Sequence, residues 1–163
     1  MTKDDNFSIL YRIATCFTVF GTAMFFLAAG QVIVWAMDRT PPFVVIDHSA
    51  KAALQGETAT VTARVRRALT RSCSLTYSRT FIDSKGSVYD LSEGVRLLTA
   101  QALVELDKRS PDQITFKVTV PKTAAPGPGS VFTAMEYTCN PIHQLYPIPV
   151  VMISKVDILG AKK

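Results

Sequence analysis

The chain has 163 residues, with 18 basic and 13 acidic side chains and a net charge of +5. A charge of this size on a domain surface is typical of ordinary solubility, and no predicted strand interleaves basic with aromatic residues, so no nucleic-acid partner is expected. The sequence contains no hydrolase elbow, phosphate-binding loop, paired acid motif or zinc-ligand spacing. We therefore expect neither an enzyme nor a small-molecule substrate.

The most apolar stretch, residues 13–37, has no charged side chain. As a helix rising ~1.5 Å per residue it would be roughly 37 Å long, enough to cross a hydrocarbon layer of ~30 Å. Tyr11 and Trp35 place an aromatic ring near each expected water interface. The pattern predicts a cytoplasmic tail over 1–12 and a transmembrane helix over 13–37.

A cleaved signal peptide is the alternative interpretation of this stretch, because residues 28–30 are small enough for a cleavage site. That site lies inside the apolar run, which is longer than the ~7–15 residues of a signal-peptide core. The pattern favours an uncleaved anchor. Small side chains on one helix face predict packing against another helix or a second copy. They are Ala14, Thr18, Thr22 and Ala29.

The three cysteines differ in their expected environment, since Cys16 lies in the span and Cys73 and Cys139 lie beyond it. An even pair outside the span favours a disulfide and an oxidising compartment, with two buried free thiols as the alternative. We therefore predict a protein of the bacterial inner membrane with its N-terminus in the cytoplasm and its domain in the periplasm. Two prolines make residues 38–42 a stiff spacer.

Residues 43–159 are predicted to form strands from their two-residue periodicity. Around Val61, for example, small apolar residues alternate with polar ones, which is typical of a half-buried strand. A proline- and glycine-rich segment, 121–130, is expected to carry the chain from one sheet to the other. Segment 92–109 is open to a short helix, although a strand near 102–106 is favoured. The other predicted strands are 43–47, 57–67, 72–82, 87–91, 113–120, 131–139 and 150–159, and residues 160–163 form a frayed tail.

Arg79 interrupts the third of these strands, because it falls in phase with core residues. Three explanations are open: a buried ion pair with Asp83 or Glu136, a bulge that shifts the register, or the strand's end leaving the core. The last of these is the commonest reason for such a break.

About seven short antiparallel strands describe an all-β fold, an antiparallel β-sandwich. The stretches GETATVTARV and QITFKVTVPKTAAPGPGSVFTAMEY resemble strands of bacterial immunoglobulin-like domains, and the two-residue spacing of Tyr137 and Cys139 resembles a tyrosine corner. Cys73 departs from the antibody pattern, since it lies one strand late. The resemblance covers residues 43–159 and implies a fold, not an activity. The layout, with the run CNPIHQLYPIP, is also similar to small single-span membrane proteins of bacteriophages and prophages.

The spacing of Cys139 and His143 resembles the ligand loop of cupredoxins, with Met152 as a conceivable axial ligand. Such a copper site needs two histidines and one cysteine. His48 lies before the second strand instead of mid-domain, so we expect no metal and no cofactor, and His143 is expected to line or cap a loop. A copper or electron-transfer protein is the alternative function.

The proline-stiffened segment 142–149 is a candidate partner-binding loop through Leu145, Tyr146 and Ile148. The alternative is that Tyr146 and Ile148 fold back to plug the open end of the sandwich. Together these patterns predict a membrane-anchored, non-catalytic binding or scaffolding protein, such as an accessory subunit of a membrane or phage-related assembly. Its expected partner is another protein or its own copies, and a phage lysis or superinfection-exclusion factor is a further alternative.

Overall fold

The computed structural model describes residues 3–68, 72–109 and 112–160, and the chain divides into two compact units, Met1–Arg39 and Thr40–Lys163. The first unit is a helix, α1 (Lys3–Met37). Its part Tyr11–Met37 is, among the described residues, the one helix long and apolar enough to span a membrane, with a mean hydropathy of 1.9. The helix includes much of the predicted tail because residues 3–10 contain neither proline nor glycine. Predicted tail residues 1, 2 and 161–163 lie outside the described residues.

The second unit is built from two β-sheets. In the parts of the chain that the structure describes, its elements are β1 (Phe43–Ala50), β2 (Ala53–Leu54), β3 (Thr58–Arg67), β4 (Cys73–Ile82), β5 (Val88–Leu98), α2 (Ala100–Arg109), β6 (Gln113–Thr119), β7 (Gly127–Thr138), a 3₁₀ helix (Pro141–Gln144) and β8 (Ile148–Leu159). One sheet has the order β1-β3-β6 and the other the order β2-β8-β7-β4-β5. The five-stranded sheet is curled like half of a barrel. The predicted apolar helix and two-sheet β domain are confirmed, while the immunoglobulin-like topology stays a prediction.

The hydrophobic core lies between the two sheets. β3 alternates as its sequence predicts, with Ala59, Val61, Ala63 and Val65 buried. From the other sheet, Phe81 and Tyr137 are the largest side chains that are fully buried. Each sheet therefore contributes one apolar face to a shared core, as two packed layers require.

The predicted strand near 102–106 is wrong, because this segment lies in α2. β5 runs on to Leu98, and the Thr99 hydroxyl then caps the helix by accepting a hydrogen bond from the Ala102 N–H at 3.1 Å. Leu103 is the helix residue that enters the core, and Leu106 follows one turn later. The short helix that the sequence left open for segment 92–109 is therefore the element that forms at its end.

The prediction that segment 121–130 carries the chain from one sheet to the other is confirmed, since β6 and β7 belong to different sheets. Its end is not where the sequence suggested, because β7 already begins at Gly127. Pro128 pairs with Asp157 of β8, whereas pairing of β7 with β4 begins only at Ser130. Pro128 is tolerated within the strand because β7 extends there beyond β4 and needs no donor on that side.

The two lateral sides of the β domain differ. On one side β1 approaches β8, and His48 Nε2 lies 2.6 Å from the carbonyl oxygen of Ile153. On the other side β5 is hydrogen-bonded to β4 and β6 to β3, and no described strand pairs with the outer edge of either one. α2 connects β5 to β6 at one end of this open side. The open side is where the core is accessible.

Candidate functional site

A cavity of about 330 Å³ lies between the edges of β5 and β6, and we call it the arginine cleft. Most of its lining is apolar, with two arginines among the polar groups. It is lined by Phe43, Leu75, Tyr77, Arg79, Arg96, Leu98, Leu106, Gln113, Ile114, Thr115 and Phe116. A mostly apolar recess with a few convergent polar groups is typical of a binding site.

α2 is held over one end of the cleft by both packing and charge. Leu103 is buried in the core, and the carboxylate of Asp107 accepts a hydrogen bond from Arg67 Nη1 at 2.8 Å. Arg67 Nη2 also donates to the carbonyl oxygen of Gln113, at the start of β6. Since Arg67 ends β3, this side chain ties α2 to the three-stranded sheet, and Leu106 is left lining the cleft.

Arg79 lies on the core face of β4, with its guanidinium against two aromatic rings. The carbon of the guanidinium is 4.6 Å from the Tyr77 ring centre and 4.4 Å from that of Phe116. Desolvation by burial lowers the pKa of Arg79. The register of β4 against β5 shifts at this point, where Leu91 is the extra residue. The bulge therefore lies in β5, while β4 keeps its alternation through Arg79 to the buried Phe81. Neither a bulge in β4 nor the expected strand end accounts for Arg79.

Arg96 reaches the same cleft from β5, on the other side of Tyr77. The carbon of its guanidinium lies 5.8 Å from the Tyr77 ring centre. Gly94 stands opposite Tyr77 in the neighbouring strand, and a Cβ atom there would lie 2.9 Å from the tyrosine hydroxyl. A glycine at this position therefore lets the tyrosine ring extend over β5, between the two arginines.

The charge of the two arginines is not neutralised by the chain. Among the described residues, neither Arg79 nor Arg96 has a carboxylate oxygen within 4.0 Å. An ion pair of Arg79 with Asp83 or Glu136, one of the three open explanations for its position, is therefore not formed. Asp83 instead accepts hydrogen bonds from the N–H groups of its own turn and of Ala125. The cleft therefore presents two cationic groups in a mostly apolar recess.

The three residues of the predicted partner-binding loop differ in their exposure to solvent. The side chains of Leu145 and Tyr146 are 75% and 67% exposed, whereas Ile148 is 4% exposed and packs in the core. Ile148 is therefore part of the core and unavailable to a partner, and Tyr146 does not plug the sandwich. A binding role for Leu145 and Tyr146 stays a prediction.

The predicted disulfide is confirmed, with Cys73 and Cys139 joined at an S–S distance of 2.08 Å. Cys73 begins β4 and Cys139 directly follows β7, and these two strands are neighbours in the sheet. His143 is buried beside it, and its Nδ1 accepts a hydrogen bond from the Cys139 N–H at 3.3 Å. The side chain of Asn140 in turn caps the 3₁₀ helix by accepting from the His143 N–H.

This arrangement rules out the copper site that the Cys139 and His143 spacing suggested, because the sulfur of Cys139 is bonded to Cys73 and offers no thiolate. Met152 is buried in the core instead of facing a metal site. His48 contacts Ile153 on β8. Within residues 3–68, 72–109 and 112–160, no group of three or more His, Cys, Asp or Glu side chains is placed to hold a metal ion.

The threonines on the predicted small face of α1 form hydrogen bonds within the helix. Thr18 Oγ1 donates to the carbonyl oxygen of Ala14 at 2.9 Å, and Thr22 Oγ1 donates to that of Thr18 at 2.8 Å. The hydroxyls are thus satisfied within the helix, as an apolar environment requires. Ala29 lies further along the same helix, and the use of this face in helix packing stays a prediction.

No protein family model matches the sequence, and no curated protein matches it. Among solved structures, AggA, the major subunit of aggregative adherence fimbriae type I from Escherichia coli, is 8% identical, with 74% of this chain and 97% of that chain covered and a TM-score of 0.39. The class 5 fimbriae chaperone CfaA is 8% identical over 74% and 57% of the two chains, with a TM-score of 0.40. The alkylpurine DNA glycosylase AlkC of Pseudomonas fluorescens is 9% identical over 74% and 31%, with a TM-score of 0.37.

This chain spans less than half the length of the first matched structures, AlkC among them. Such distant likenesses assign neither a family nor a function. The relation to bacterial immunoglobulin-like domains and to phage membrane proteins stays a prediction from the sequence.

Proposed function

We propose that this chain is a single-pass protein of the bacterial inner membrane whose periplasmic, immunoglobulin-like β domain binds or scaffolds another polypeptide without catalysing a reaction. The observation that carries the binding role is the arginine cleft, an apolar recess with two cations on the open side of the domain. An apolar recess on which polar groups converge offers a partner both buried area and directional contacts.

The location is supported by two independent features. The helix segment Tyr11–Met37 is long and apolar enough to span a bilayer. The disulfide between Cys73 and Cys139 is typical of an oxidising compartment, and the periplasm is the one next to a bacterial inner membrane.

The non-catalytic part of the proposal is supported by the chemistry of the cleft. Its lining contains no histidine, carboxylate, cysteine or lysine. General acid–base catalysis near neutral pH needs a group that gains and loses a proton there, and arginine and tyrosine do not titrate in that range.

The location can be tested with the full chain expressed in Escherichia coli. We expect the protein to remain in the membrane after alkaline extraction, to keep Met1 or Thr2 at its N-terminus, and to lose its β domain when proteinase K is added to spheroplasts. A cytoplasmic marker protein that resists the protease is the control for intact spheroplasts. An N-terminus near residue 31, or a domain degraded only after lysis, would contradict the proposed anchor or its orientation.

A further inference from the structure

Arg79 is a half-buried cation whose hydrogen bonds are incomplete. Its Nε atom is buried and has no partner among the described residues, and its Nη1 is at 3.5 Å from Ser92 Oγ, the limit for a hydrogen bond. Leaving a charged donor unpaired in an apolar site is unfavourable. The two ring faces offset part of this cost, and an anionic group entering the cleft would supply the hydrogen bonds that the chain does not.

Arg96 is a second cationic side chain that lines the cleft. Both guanidiniums lie near the Tyr77 ring, at 4.6 Å and 5.8 Å from its centre, and both arginines line the same recess. Arginine is the side chain best suited to carboxylates, because its donors match the two oxygens of the carboxylate group. Two arginines without an intrachain acid therefore favour a ligand that brings a carboxylate of its own.

The walls of the cleft indicate what carries that carboxylate. The recess opens between the edges of β5 and β6, and neither edge is paired with another described strand. An extended polypeptide satisfies such an edge with its backbone, while its alternate side chains enter the recess on one face. At about 330 Å³ the recess has room for a few side chains and not for a folded element.

A second copy of this chain fits the site less well than a different polypeptide. The β5 residues on the cleft side are Leu98, Arg96, Gly94, Ser92 and Tyr89, and none of them is acidic. A second copy paired through β5 would therefore bring further positive charge and no carboxylate to that face. Charge complementarity therefore selects an acidic segment of a different protein.

We propose that the arginine cleft binds an extended segment of a partner polypeptide that pairs with the edge of β5, places apolar side chains in the recess and brings an aspartate or glutamate to Arg79 and Arg96. The acidic side chain occupies the same face of the segment as the apolar ones, with apolar residues two positions to either side. This inference rests on the proposed binding function and names the class of partner.

The test uses the full chain in nanodiscs of phosphatidylcholine and a bead-displayed library of random nine-residue peptides. We expect enriched peptides to carry an acidic residue with apolar residues two positions before and after it. Replacing that residue by its amide should weaken binding by about tenfold or more, since charge-assisted hydrogen bonds are lost. Arg79→Gln and Arg96→Gln should produce a loss of similar size, measured by fluorescence anisotropy.

Arg64→Gln is the matched control, because Arg64 is an exposed arginine on the outer face of β3 and should leave binding unchanged. Arg96 is exposed, so its variant keeps the test valid if Arg79→Gln fails to fold. The proposal is overturned if no peptide is enriched, if enriched peptides lack the acid, or if both arginine variants bind them normally. Arginine-dependent binding of phosphatidylglycerol vesicles in place of peptides would also overturn it. Each of these outcomes leaves the protease result on membrane location unaffected.

Discussion

Thr133 is a buried threonine in the middle of β7, and its hydroxyl has no hydrogen-bond partner among the described residues. Replacing it by valine exchanges the hydroxyl for a methyl group of nearly the same shape. We expect Thr133→Val to raise the free energy of unfolding by about 1 kcal/mol, because the cost of burying an unpaired hydroxyl is removed. Thermal melting of the full chain in detergent measures this change.

The control for this substitution is Thr76→Val, at an exposed position of the neighbouring strand β4. It should change stability by less than about 0.5 kcal/mol. A destabilised Thr133→Val protein would mean that the hydroxyl has a partner in solution, for example an internal water molecule.

Asp83 is the residue that organises the turn between β4 and β5. Its Oδ1 accepts hydrogen bonds from the N–H groups of Lys85 and Ser87, both at 2.9 Å, and its Oδ2 accepts from the N–H of Ala125 at 2.9 Å. These bonds, that of Ala125 first, lower the pKa of Asp83 to about 2. Gly86 completes the turn at φ 83°, where a side chain would be strained.

The lowered pKa of Asp83 predicts how the stability of the domain depends on pH. In the unfolded chain the Asp83 carboxyl titrates near pH 4, so ionised Asp83 stabilises the fold above about pH 4 and the stabilisation is lost as the pH falls toward about 2. We expect Asp83→Asn to be less stable at pH 7 and to show a flatter stability profile between these pH values. Chemical denaturation at a series of pH values measures both effects, and exposed Asp90→Asn is the control. Identical pH profiles for wild type and Asp83→Asn would contradict the assigned role.

At the scale of elements, strict alternation in the sequence predicted strands well. β3 is the clearest case, since its apolar residues are buried between the sheets.

We expect Val61→Asp to lower the free energy of unfolding by several kcal/mol, because it buries an unpaired carboxylate. That is a large part of the ~5–15 kcal/mol typical of a domain. Thr58→Asp, at an exposed position of the same strand, should cost little, and equal effects of the two in thermal melts would mean that β3 is not half buried.

The sequence did not reveal α2 or the full length of β5. The apolar pattern of α2 is short, and that of β5 is shifted by one extra residue. α2 has ten residues, and its core contact is a single leucine, Leu103, so its periodicity was weak. In β5 the extra residue Leu91 shifts the alternation, which hid the fact that Arg96 faces the core side. Arg79 could be recognised in the sequence as a break in the strand pattern. The cleft could not be recognised, because a cleft at this place depends on which strands become sheet edges. Sequence alone seldom fixes that choice.

At the scale of the whole domain, the fold leaves one lateral side closed and one open. The same topology puts β4 and β7 side by side, so that the disulfide joins neighbouring strands that are distant in sequence. The even cysteine pair could be predicted from the sequence because the two residues lie in strands with inward phase. Its geometric feasibility required the strand order.

The disulfide leads to a prediction for the domain as a whole. The bond joins positions separated by 66 residues, and the chain-entropy model gives such a loop a stabilisation of about 4 kcal/mol, which acts by restricting the unfolded chain. The Cys73→Ala and Cys139→Ala double variant should therefore melt roughly 10–20 °C below wild type. Addition of a reductant should lower the melting temperature of wild type in the same direction. Cys16→Ala, in the predicted span, should leave domain melting unchanged, so it separates loss of the bridge from general effects of cysteine removal. A double variant that melts like wild type would contradict this prediction and show that the β domain is stable without the bridge.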